Sequence, residues 1–346
     1  MNSIIGYLRD GWRYLLVIAC VMAAVFGLMA YAALPVGSHS TGALIVVEKG
    51  DNIEVVGAKL AQRHLVRSGL AFAMLGRLCG DARRIRPGAY RFDQRMSAFD
   101  MLDSLSHNGK SVVWITVPEG FTAAQIAERV EHLGIGSRDV FMNLVLKECP
   151  DGVRNIVPCP VGSLEGYLFP STYPAVRDER ELGLIVQMLE AFKSKVYDHI
   201  KDELPGENVA AKNDYLYKII IVASMVEREA KIEADRPLIS AVIWNRLKKG
   251  MKLEVDATVV YAIGSHRQRL TYEDLRIDSP YNTYLYAGLP PGPICNPGLP
   301  SIRAAMHPAK VDYLFYVAKP DGSHIFSRTF EEHVAAKRAV KKNEGG

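Results

Sequence analysis

An apolar helical pattern that ends in two carboxylates constrains the fold of this chain more than any other feature. Apolar residues recur there at spacings of three and four, which predicts one face of a buried helix. They are Leu216, Ile219, Ile220, Ala223 and Val226. Glu229 lies three residues after Val226 and continues this apolar face, whereas Glu227 lies about 200° away around the helix axis.

The two glutamates cannot both point into one site from a regular helix, so at most one of them carries chemistry. A carboxyl group that lies against apolar side chains keeps its proton toward neutral pH, which suits a general acid. We therefore expect Glu229 to be the functional carboxyl and Glu227 to be solvated or paired with a base such as Arg228 or Lys231. The alternative for any helical glutamate is a solvated surface residue, and the pattern alone does not exclude it.

The composition allows a sizeable core and argues against two classes of site. Apolar residues make up 49% of the 346 residues, and the formal net charge is +4. The basic residues are scattered, whereas nucleic-acid-binding proteins concentrate them on one face, so we expect no nucleic-acid partner. There is no CxxC or His-rich spacing of the kind that binds zinc, so we expect no metal.

Residues 14–34 carry no charged side chain, and a helix of this length would cross the ~30 Å hydrocarbon core of a bilayer. Arg9 and Arg13 precede the segment, so residues 1–13 are predicted to stay in the cytoplasm. We therefore predict a single transmembrane helix in the inner membrane, with the rest of the chain in the periplasm or extracytoplasmic space. A cleaved signal peptide that ends near Ala30-Tyr31-Ala32 is the alternative.

Four cysteines follow this segment and would face an oxidising compartment, where disulfides form. Cys149 and Cys159 flank a loop-like stretch and are the favoured pair. Connectivity is not determined by sequence, so whether they are joined stays open.

The rest of the chain reads as a linker, a small subdomain and a larger helical domain of the α+β class. Residues 35–43 form a polar linker rich in turn-forming residues. Residues 44–136 hold a weak strand–helix repeat that resembles LysM glycan-binding modules. A plain α+β spacer is the alternative, and fold analogy does not separate the two. Residues 137–346 are richer in helical patterns, and we predict a mixed α/β catalytic domain there.

Two segments near the C-terminus have clear local signals. Residues 279–300 contain six prolines and three glycines, which predicts a long irregular loop of functional importance. The apolar residues 313–318 and residues 324–326 flank the turn-forming pair Asp321-Gly322, which predicts a β-hairpin.

Several long motifs occur in one order along the chain and together resemble the endolytic murein transglycosylases, the MltG or YceG-like family. The resemblance covers most of the chain after residue 34. The motifs are Leu-Glu-Gly-Tyr-Leu-Phe-Pro at 164–170, Ala-Ser-Met-Val-Glu-Arg-Glu-Ala at 223–230, Trp-Asn-Arg-Leu at 244–247, Asp-Ala-Thr-Val-Val-Tyr at 256–261, and the Tyr-Asn-Thr-Tyr segment with its Pro-Pro-Gly-Pro continuation at 281–294.

The resemblance implies a lyase that cleaves the β-1,4 bond between N-acetylmuramic acid and N-acetylglucosamine in peptidoglycan, leaves a 1,6-anhydro end and terminates nascent glycan strands. Glu229 matches the second glutamate of the family's V-E-K-E type motif, which implies that it is the catalytic residue. No cofactor is implied. The implied partners are peptidoglycan glycan strands, the membrane and peptidoglycan synthases.

The chain departs from the family pattern at two places. Ser171 replaces the usual acidic or polar residue after Leu-Phe-Pro, and the Gln-x-Asp-Pro-Thr pattern reads Glu254-Val255-Asp256-Ala257-Thr258. Neither change touches Glu229, so they put the subsite preference in doubt and leave the expected reaction unchanged.

Aromatic and amide side chains in the motifs are candidates for sugar binding, because flat rings and amides suit acetamido sugars. The candidate substrate-binding residues are Glu165, Tyr167, Asn245, Asp256, Asn282 and Tyr284. The alternatives are core packing for the aromatic residues and a helix cap for Asp256. Two other functions stay open: a peptidoglycan-binding scaffold without activity, and a hydrolase that uses water with a second carboxylate folded close to Glu229.

Overall fold

The computed structural model divides into two compact units, Met1–Val113 with Pro174–Arg177 and Trp114–Tyr173 with Asp178–Gly346. The predicted boundaries at residues 43/44 and 136/137 stay predictions. The structure describes residues 19–20, 22–23, 27, 29–37, 43–107, 112–146, 156–158, 163–176, 181–264 and 270–344. Cys149 and Cys159 lie outside these residues.

The first unit is built on an antiparallel strand pair. Strand Ala43–Val47 pairs with strand Gly88–Phe92, so that Ala43 lies opposite Phe92 and Val47 opposite Gly88. Two helices connect the strands, Ile53–Gln62 and Gly69–Leu78. A 3-10 turn at Asp81–Arg83 and a helix at Ala98–His107 complete this unit.

Side chains cap the two connecting helices where the backbone amides lack helical partners. The Asn52 side chain accepts from the amide of Val55, and the Ser68 side chain accepts from the amide of Ala71. Gly57 and Gly69 let the helices touch, since a Cβ on either residue would meet the other's carbonyl oxygen within about 2.5 Å. The apolar faces of these helices and strands bury one core, which includes Val56, Leu60, Phe72, Phe92 and Met101.

The predicted transmembrane helix of residues 14–34 is wrong. No helix within the described parts of the chain combines the length and the apolar character needed to cross a bilayer. The predicted location as a single-pass inner-membrane protein rested on that helix and is wrong for the same reason. Residues 1–13 and several positions of 14–34 lie outside the described residues.

The described end of that segment packs on the first unit. Ala33 is buried in the core there. The guanidinium of Arg67 donates to the carbonyl oxygens of Tyr31 at 3.1 Å and Leu34 at 2.6 Å, and it lies 4.6 Å from the centre of the Tyr31 ring. The charged side chain of Arg67 therefore hydrogen-bonds the C-terminal end of this segment.

The second unit is mainly helical. Its first helices are Ala123–His132 and Arg138–Leu146. Helix Glu181–Phe192 continues through a π-helical turn, Lys193–Tyr197, into the short helix Asp198–Ile200. A separate small sheet pairs strands Val112–Thr116 and Thr172–Val176, residues that the division assigns partly to the first unit.

The long helix Val209–Glu229 forms the centre of this unit and confirms the predicted apolar helix. Asn208 caps its start by accepting from the amide of Ala211 at 2.9 Å. All residues from Ile219 to Val226 are buried, because other elements cover the helix on every side along this stretch. The helices that follow are Arg236–Lys248, Asp256–Ile263, Leu299–Met306 and Phe330–Glu344, with 3-10 turns at Glu233–Asp235 and Asp274–Arg276.

The predicted hairpin and the predicted irregular loop are confirmed. Strands Phe315–Ala318 and His324–Ser327 pair in antiparallel fashion, and the turn between them contains Asp321 and Gly322. Residues 279–298 are irregular, and the last two predicted loop residues begin the helix Leu299–Met306. The loop is held on the long helix by Ser224, whose hydroxyl accepts from the amide of Ile294 at 3.0 Å.

Candidate active site

Glu229 is the last residue of the long helix, and its side chain is partly buried. The hydroxyl of Tyr316, on the first strand of the C-terminal hairpin, donates to Oε2 of Glu229 at 3.1 Å. The backbone N–H of Ala257, in the first turn of helix Asp256–Ile263, also hydrogen-bonds the Glu229 carboxyl. Three separate elements therefore meet at this carboxyl group.

Burial and, to a smaller extent, the negative charge of Asp256 raise the pKa of Glu229 to about 7. The hydrogen bonds from Tyr316 and from the Ala257 N–H lower the pKa, as does the charge of Arg228, but they do not offset the burial. At neutral pH this carboxyl is divided between its protonated and ionised forms. It can therefore give and take a proton in one reaction cycle.

Asp256 and Tyr284 lie close enough to Glu229 for the charges of the carboxylates to act on one another and on the Tyr284 hydroxyl. The Tyr284 hydroxyl donates to Oδ1 of Asp256 at 2.5 Å, and Asp256 is exposed. Burial and the neighbouring carboxylates hold the pKa of Tyr284 far above its ordinary value, so its hydroxyl remains a donor. Thr283 connects the two segments, because its hydroxyl accepts from the amide of Val255 at 3.0 Å.

Glu227 points away from this site, as the helical spacing predicts. Its Oε1 accepts from Arg236 at 3.2 Å, and its Oε2 accepts from the amide of Gly298 at 3.0 Å. The Glu227 side chain is only 7% exposed. The expected base partner is therefore present, but it is Arg236 rather than Arg228 or Lys231.

Glu165, a predicted substrate-binding residue, is buried where its own segment meets the start of helix Ala123–His132. Its two oxygens each accept from the amide of Ala123 at 3.0 Å, and Oε1 also accepts from the side chain of Asn296 at 2.9 Å. Burial raises its pKa to about 7 despite these bonds. Asn296 in turn accepts the amides of Gly166 and Leu168, so Glu165 and Asn296 together hold the 164–170 motif in place.

The other predicted binding residues make contacts within the protein. Tyr167 is 1% exposed, and its ring centre lies 4.9 Å from that of Phe192. The amide of Asn245 donates to the carbonyl oxygens of Val311 and Tyr313 at 2.9 and 3.0 Å.

Asn282 is fully buried and shapes the loop that carries Tyr284. Its amide donates to the carbonyl oxygens of Leu275 and Ile277, and its Oδ1 accepts from the amide of Tyr284 at 3.0 Å. Of the predicted residues, the structure thus brings Glu229, Asp256 and Tyr284 together. It places Glu165, Tyr167, Asn245 and Asn282 in supporting positions, and their roles in substrate binding stay predictions.

Sequence patterns did not predict two residues that hydrogen-bond the glutamates, Tyr316 and Arg236. Tyr316 lies in an apolar strand whose composition predicts burial, with no sign of a carboxyl partner 87 residues away. Arg236 begins a helix seven residues after the long helix ends and reads as an ordinary first-turn residue. Metal ligands do not cluster here either: in the described ranges no group of three His, Cys, Asp or Glu residues could hold a metal ion.

Comparison with known proteins connects this site to a family. A model of the YceG-like family matches residues 45–339. The chain is 35% identical over 314 residues to a Bacillus subtilis protein named endolytic murein transglycosylase, covering 87% of this chain and 86% of that protein. It is 28% identical over 330 residues to a Streptococcus pneumoniae protein of the same name, covering 87% of this chain and 59% of that protein.

A solved structure agrees with these relatives. The crystal structure of a yceG-like protein from Listeria monocytogenes has a TM-score of 0.56 and 30% identity to this chain, and the match covers 85% of this chain and 98% of that one. The motifs around Glu229, the fold and the family match over residues 45–339 agree, and the chain belongs to the YceG-like family.

Proposed function

We propose that this protein is a lytic transglycosylase that cleaves the bond between N-acetylmuramic acid and N-acetylglucosamine in peptidoglycan strands. The observation that carries the proposal is the partly buried Glu229, with a pKa raised to about 7 beside Asp256 and Tyr284. The names of the Bacillus and Streptococcus relatives support the same reaction class.

Glu229 acts twice in this mechanism. The protonated carboxyl gives its proton to the glycosidic oxygen while the bond from that oxygen to C1 of the muramic sugar breaks. The 6-hydroxyl oxygen of the same sugar then bonds to C1, and its proton goes to the Glu229 carboxylate. The product carries a 1,6-anhydro ring, and Glu229 is protonated again. Because the nucleophile belongs to the substrate, it is already held close to C1.

Asp256 and Tyr284 complete the catalytic group in this proposal. The charge of Asp256 stabilises the positive charge that develops at C1 and keeps Glu229 protonated until substrate binds. Tyr284 holds the Asp256 carboxylate in place through its short hydrogen bond. Glu165, Tyr167, Asn245 and Asn282 act indirectly in this proposal, by holding the motif segments in place through their contacts within the protein.

A hydrolase is the second candidate, and one observation favours it. Asp256 lies close enough to Glu229 to raise its pKa, so a second carboxylate is present that could activate a water molecule. The two mechanisms differ in product: the lyase leaves an anhydro end, and the hydrolase leaves a reducing end.

Product analysis separates these candidates. The full chain is incubated with purified peptidoglycan strands, and the soluble fragments are analysed by mass spectrometry. We expect anhydro ends, and we expect the Glu229→Gln variant to lose them by at least about 100-fold while it stays folded at the assay temperature. Reducing ends would support the hydrolase, and binding without fragments would support a scaffold.

We further propose that the first unit binds glycan as LysM-like modules do. Its strand–helix–helix–strand order, with an antiparallel strand pair, supports this role. Hydrogen exchange of the full Glu229→Gln chain with and without glycan strands tests it. Protection within residues 43–92 is expected, and protection confined to residues 114–344 would contradict it. Association with peptidoglycan synthases is the remaining partner in this proposal, and cross-linking in cells tests it.

A further inference from the structure

Tyr316 contacts the carboxyl group of Glu229, which in the proposed mechanism first donates and then accepts a proton. Both steps depend on how this carboxyl is oriented. Its hydroxyl donates to one specific oxygen of Glu229, Oε2, at 3.1 Å. Burial and the charge of Glu229 hold the pKa of Tyr316 well above its ordinary value, so the hydroxyl keeps its proton and acts as a donor. In a protonated carboxyl the carbonyl oxygen is the stronger acceptor, so a hydrogen bond to Oε2 favours the proton on Oε1.

The Tyr316 ring is held by a buried pair behind it. The ring of His324, on the paired strand, meets the Tyr316 ring edge-on, with 5.4 Å between centres and an angle of 86°. His324 is itself bound to Asp235: its backbone amide and its ring Nδ1 both lie 2.8 Å from Oδ2 of Asp235. The side chains of His324 and Asp235 are only 3% and 8% exposed.

Asp235 lies six residues after Glu229, in the 3-10 turn Glu233–Asp235 that follows the long helix. The hairpin that carries Tyr316 is therefore fastened to the chain directly after Glu229. Gly322, in the hairpin turn, lies close to the same segment, since a Cβ there would meet the Lys231 side chain at 3.3 Å. A shift of the hairpin would consequently move the Tyr316 hydroxyl relative to Glu229.

We propose that Tyr316 is a positioning residue for Glu229, and that the buried Asp235–His324 pair holds Tyr316 in place. By donating to Oε2, Tyr316 directs the Glu229 proton to Oε1 and fixes the orientation in which the carboxyl meets the glycosidic oxygen. This inference rests on the proposed function, because it assigns the proton-donating oxygen of the same general acid.

The proposal predicts a pH effect of defined sign. The groups that act on Glu229 are Asp256 on the neighbouring helix, Arg228 on its own helix, Tyr284 on the loop and Tyr316 on the hairpin. The charged groups that act on Tyr316 besides Glu229 are Arg246 and Asp256. Among these, the Tyr316 hydrogen bond stabilises the ionised form of Glu229, so removing it raises the pKa of Glu229.

Tyr316→Phe tests the inference, because it removes the hydroxyl and keeps the ring. We expect kcat for release of anhydro fragments to fall about 10-fold or more with little change in KM. We also expect the alkaline fall in activity to move to higher pH. Tyr313→Phe is the matched control: the rings of Tyr313 and Tyr316 both pack on Phe326, with 5.7 and 6.2 Å between centres, and the control should change neither quantity.

The Asp235–His324 pair is tested in the same assay. Asp235→Asn should lower kcat in the unmodified chain and cause no further loss in the Tyr316→Phe background, since the pair acts through the Tyr316 hydroxyl. An unshifted pH profile in Tyr316→Phe, or fully additive losses, would overturn the inference. Thermal unfolding of each variant identifies losses caused by misfolding, and Asp235→Glu provides a second variant that keeps the charge.

The two proposals fail in distinguishable ways. If the unmodified chain releases no anhydro fragments, the proposed function is wrong. If it releases them and Tyr316→Phe leaves both kcat and the pH profile unchanged, only the role of Tyr316 is wrong.

Discussion

Glu227 forms a shielded ion pair with Arg236, whose Nη1 lies 3.2 Å from Oε1 of Glu227. Two residues further along the same helix, Glu229 accepts instead from the uncharged hydroxyl of Tyr316. The two glutamates thus have different partners: Glu227 pairs with a cation, and Glu229 accepts from an uncharged hydroxyl and lies close to the carboxylate of Asp256. This contrast supports the proposal that Glu229, rather than Glu227, transfers the proton.

The pair between Glu227 and Arg236 should contribute to stability. Glu227→Gln and Arg236→Met should each lower the free energy of unfolding by about 2 to 4 kcal/mol. Each variant leaves the charge of the remaining, largely buried partner without an opposite charge. The double variant should lose less than the sum, since it removes both partners. Urea unfolding of the four proteins measures the coupling, and strictly additive losses would show that the pair contributes nothing.

Activity should decrease as the pH rises through about 7, the pKa of Glu229, because the general acid must be protonated. Asp256→Asn removes a negative charge that raises this pKa, so the alkaline fall should move to lower pH. The rate of anhydro-fragment release is measured against pH.

Asp278→Asn is the matched control for that experiment. Asp278 also accepts from a loop tyrosine, Tyr286, at 2.6 Å, and Glu229 is not among the groups acting on that tyrosine. The control should leave the pH profile in place. An equal shift in both variants would contradict a direct effect of Asp256 on Glu229.

Glu165 should make the protein less stable as the pH rises. Its folded pKa of about 7 exceeds the ordinary value of 4.5, so between these values the folded state binds more protons than the unfolded state. Stability is therefore fully present below about pH 4.5 and is lost as the pH rises to about 7. Glu229 contributes in the same direction.

Glu165→Gln removes one of these two titrations. The difference in unfolding temperature between pH 5 and pH 8 should shrink in this variant and should not vanish, because Glu229 still titrates. Thermal unfolding across this range measures the effect. If the difference in unfolding temperature between pH 5 and pH 8 stays the same, Glu165 is ionised over the whole range. The hydrogen bonds from Ala123 and Asn296 would then outweigh the effect of burial.

Gly166 should tolerate no side chain. Its φ is +87°, and a Cβ there would lie 2.6 Å from atoms of Ile220 and Pro293. Gly166→Ala should therefore cost about 2 to 4 kcal/mol, the sum of backbone strain and overpacking. Gly250→Ala is the control for strain alone, since Gly250 has a φ of +65° and open space around it. Equal losses in urea unfolding would contradict the steric part.

Local patterns in the chain predicted a large part of the site. Apolar spacing identified the buried helix and placed Glu229 on the inner face and Glu227 elsewhere, because side-chain direction on a helix follows from residue spacing alone. Proline and glycine content identified the irregular loop, and a turn-forming pair between apolar runs identified the hairpin. Each of these signals acts within a few residues.

The transmembrane prediction rested on hydropathy alone, and no helix within the described residues is long and apolar enough to cross a bilayer. The structure places Arg67 against the carbonyl oxygens at the end of that run and Ala33 in a core. The contact with Arg67 joins residues more than thirty positions apart, which a hydropathy pattern does not include.

The sequence by itself determined which carboxyl lies on the apolar face of the long helix and which motifs accompany it. Only the tertiary structure decided the partners of that carboxyl: Tyr316 lies 87 residues away along the chain, and the charge of Asp256 comes from another helix. The physical reason is that helix periodicity is a local property, whereas desolvation, ion pairing and proton affinity depend on which distant segments pack together.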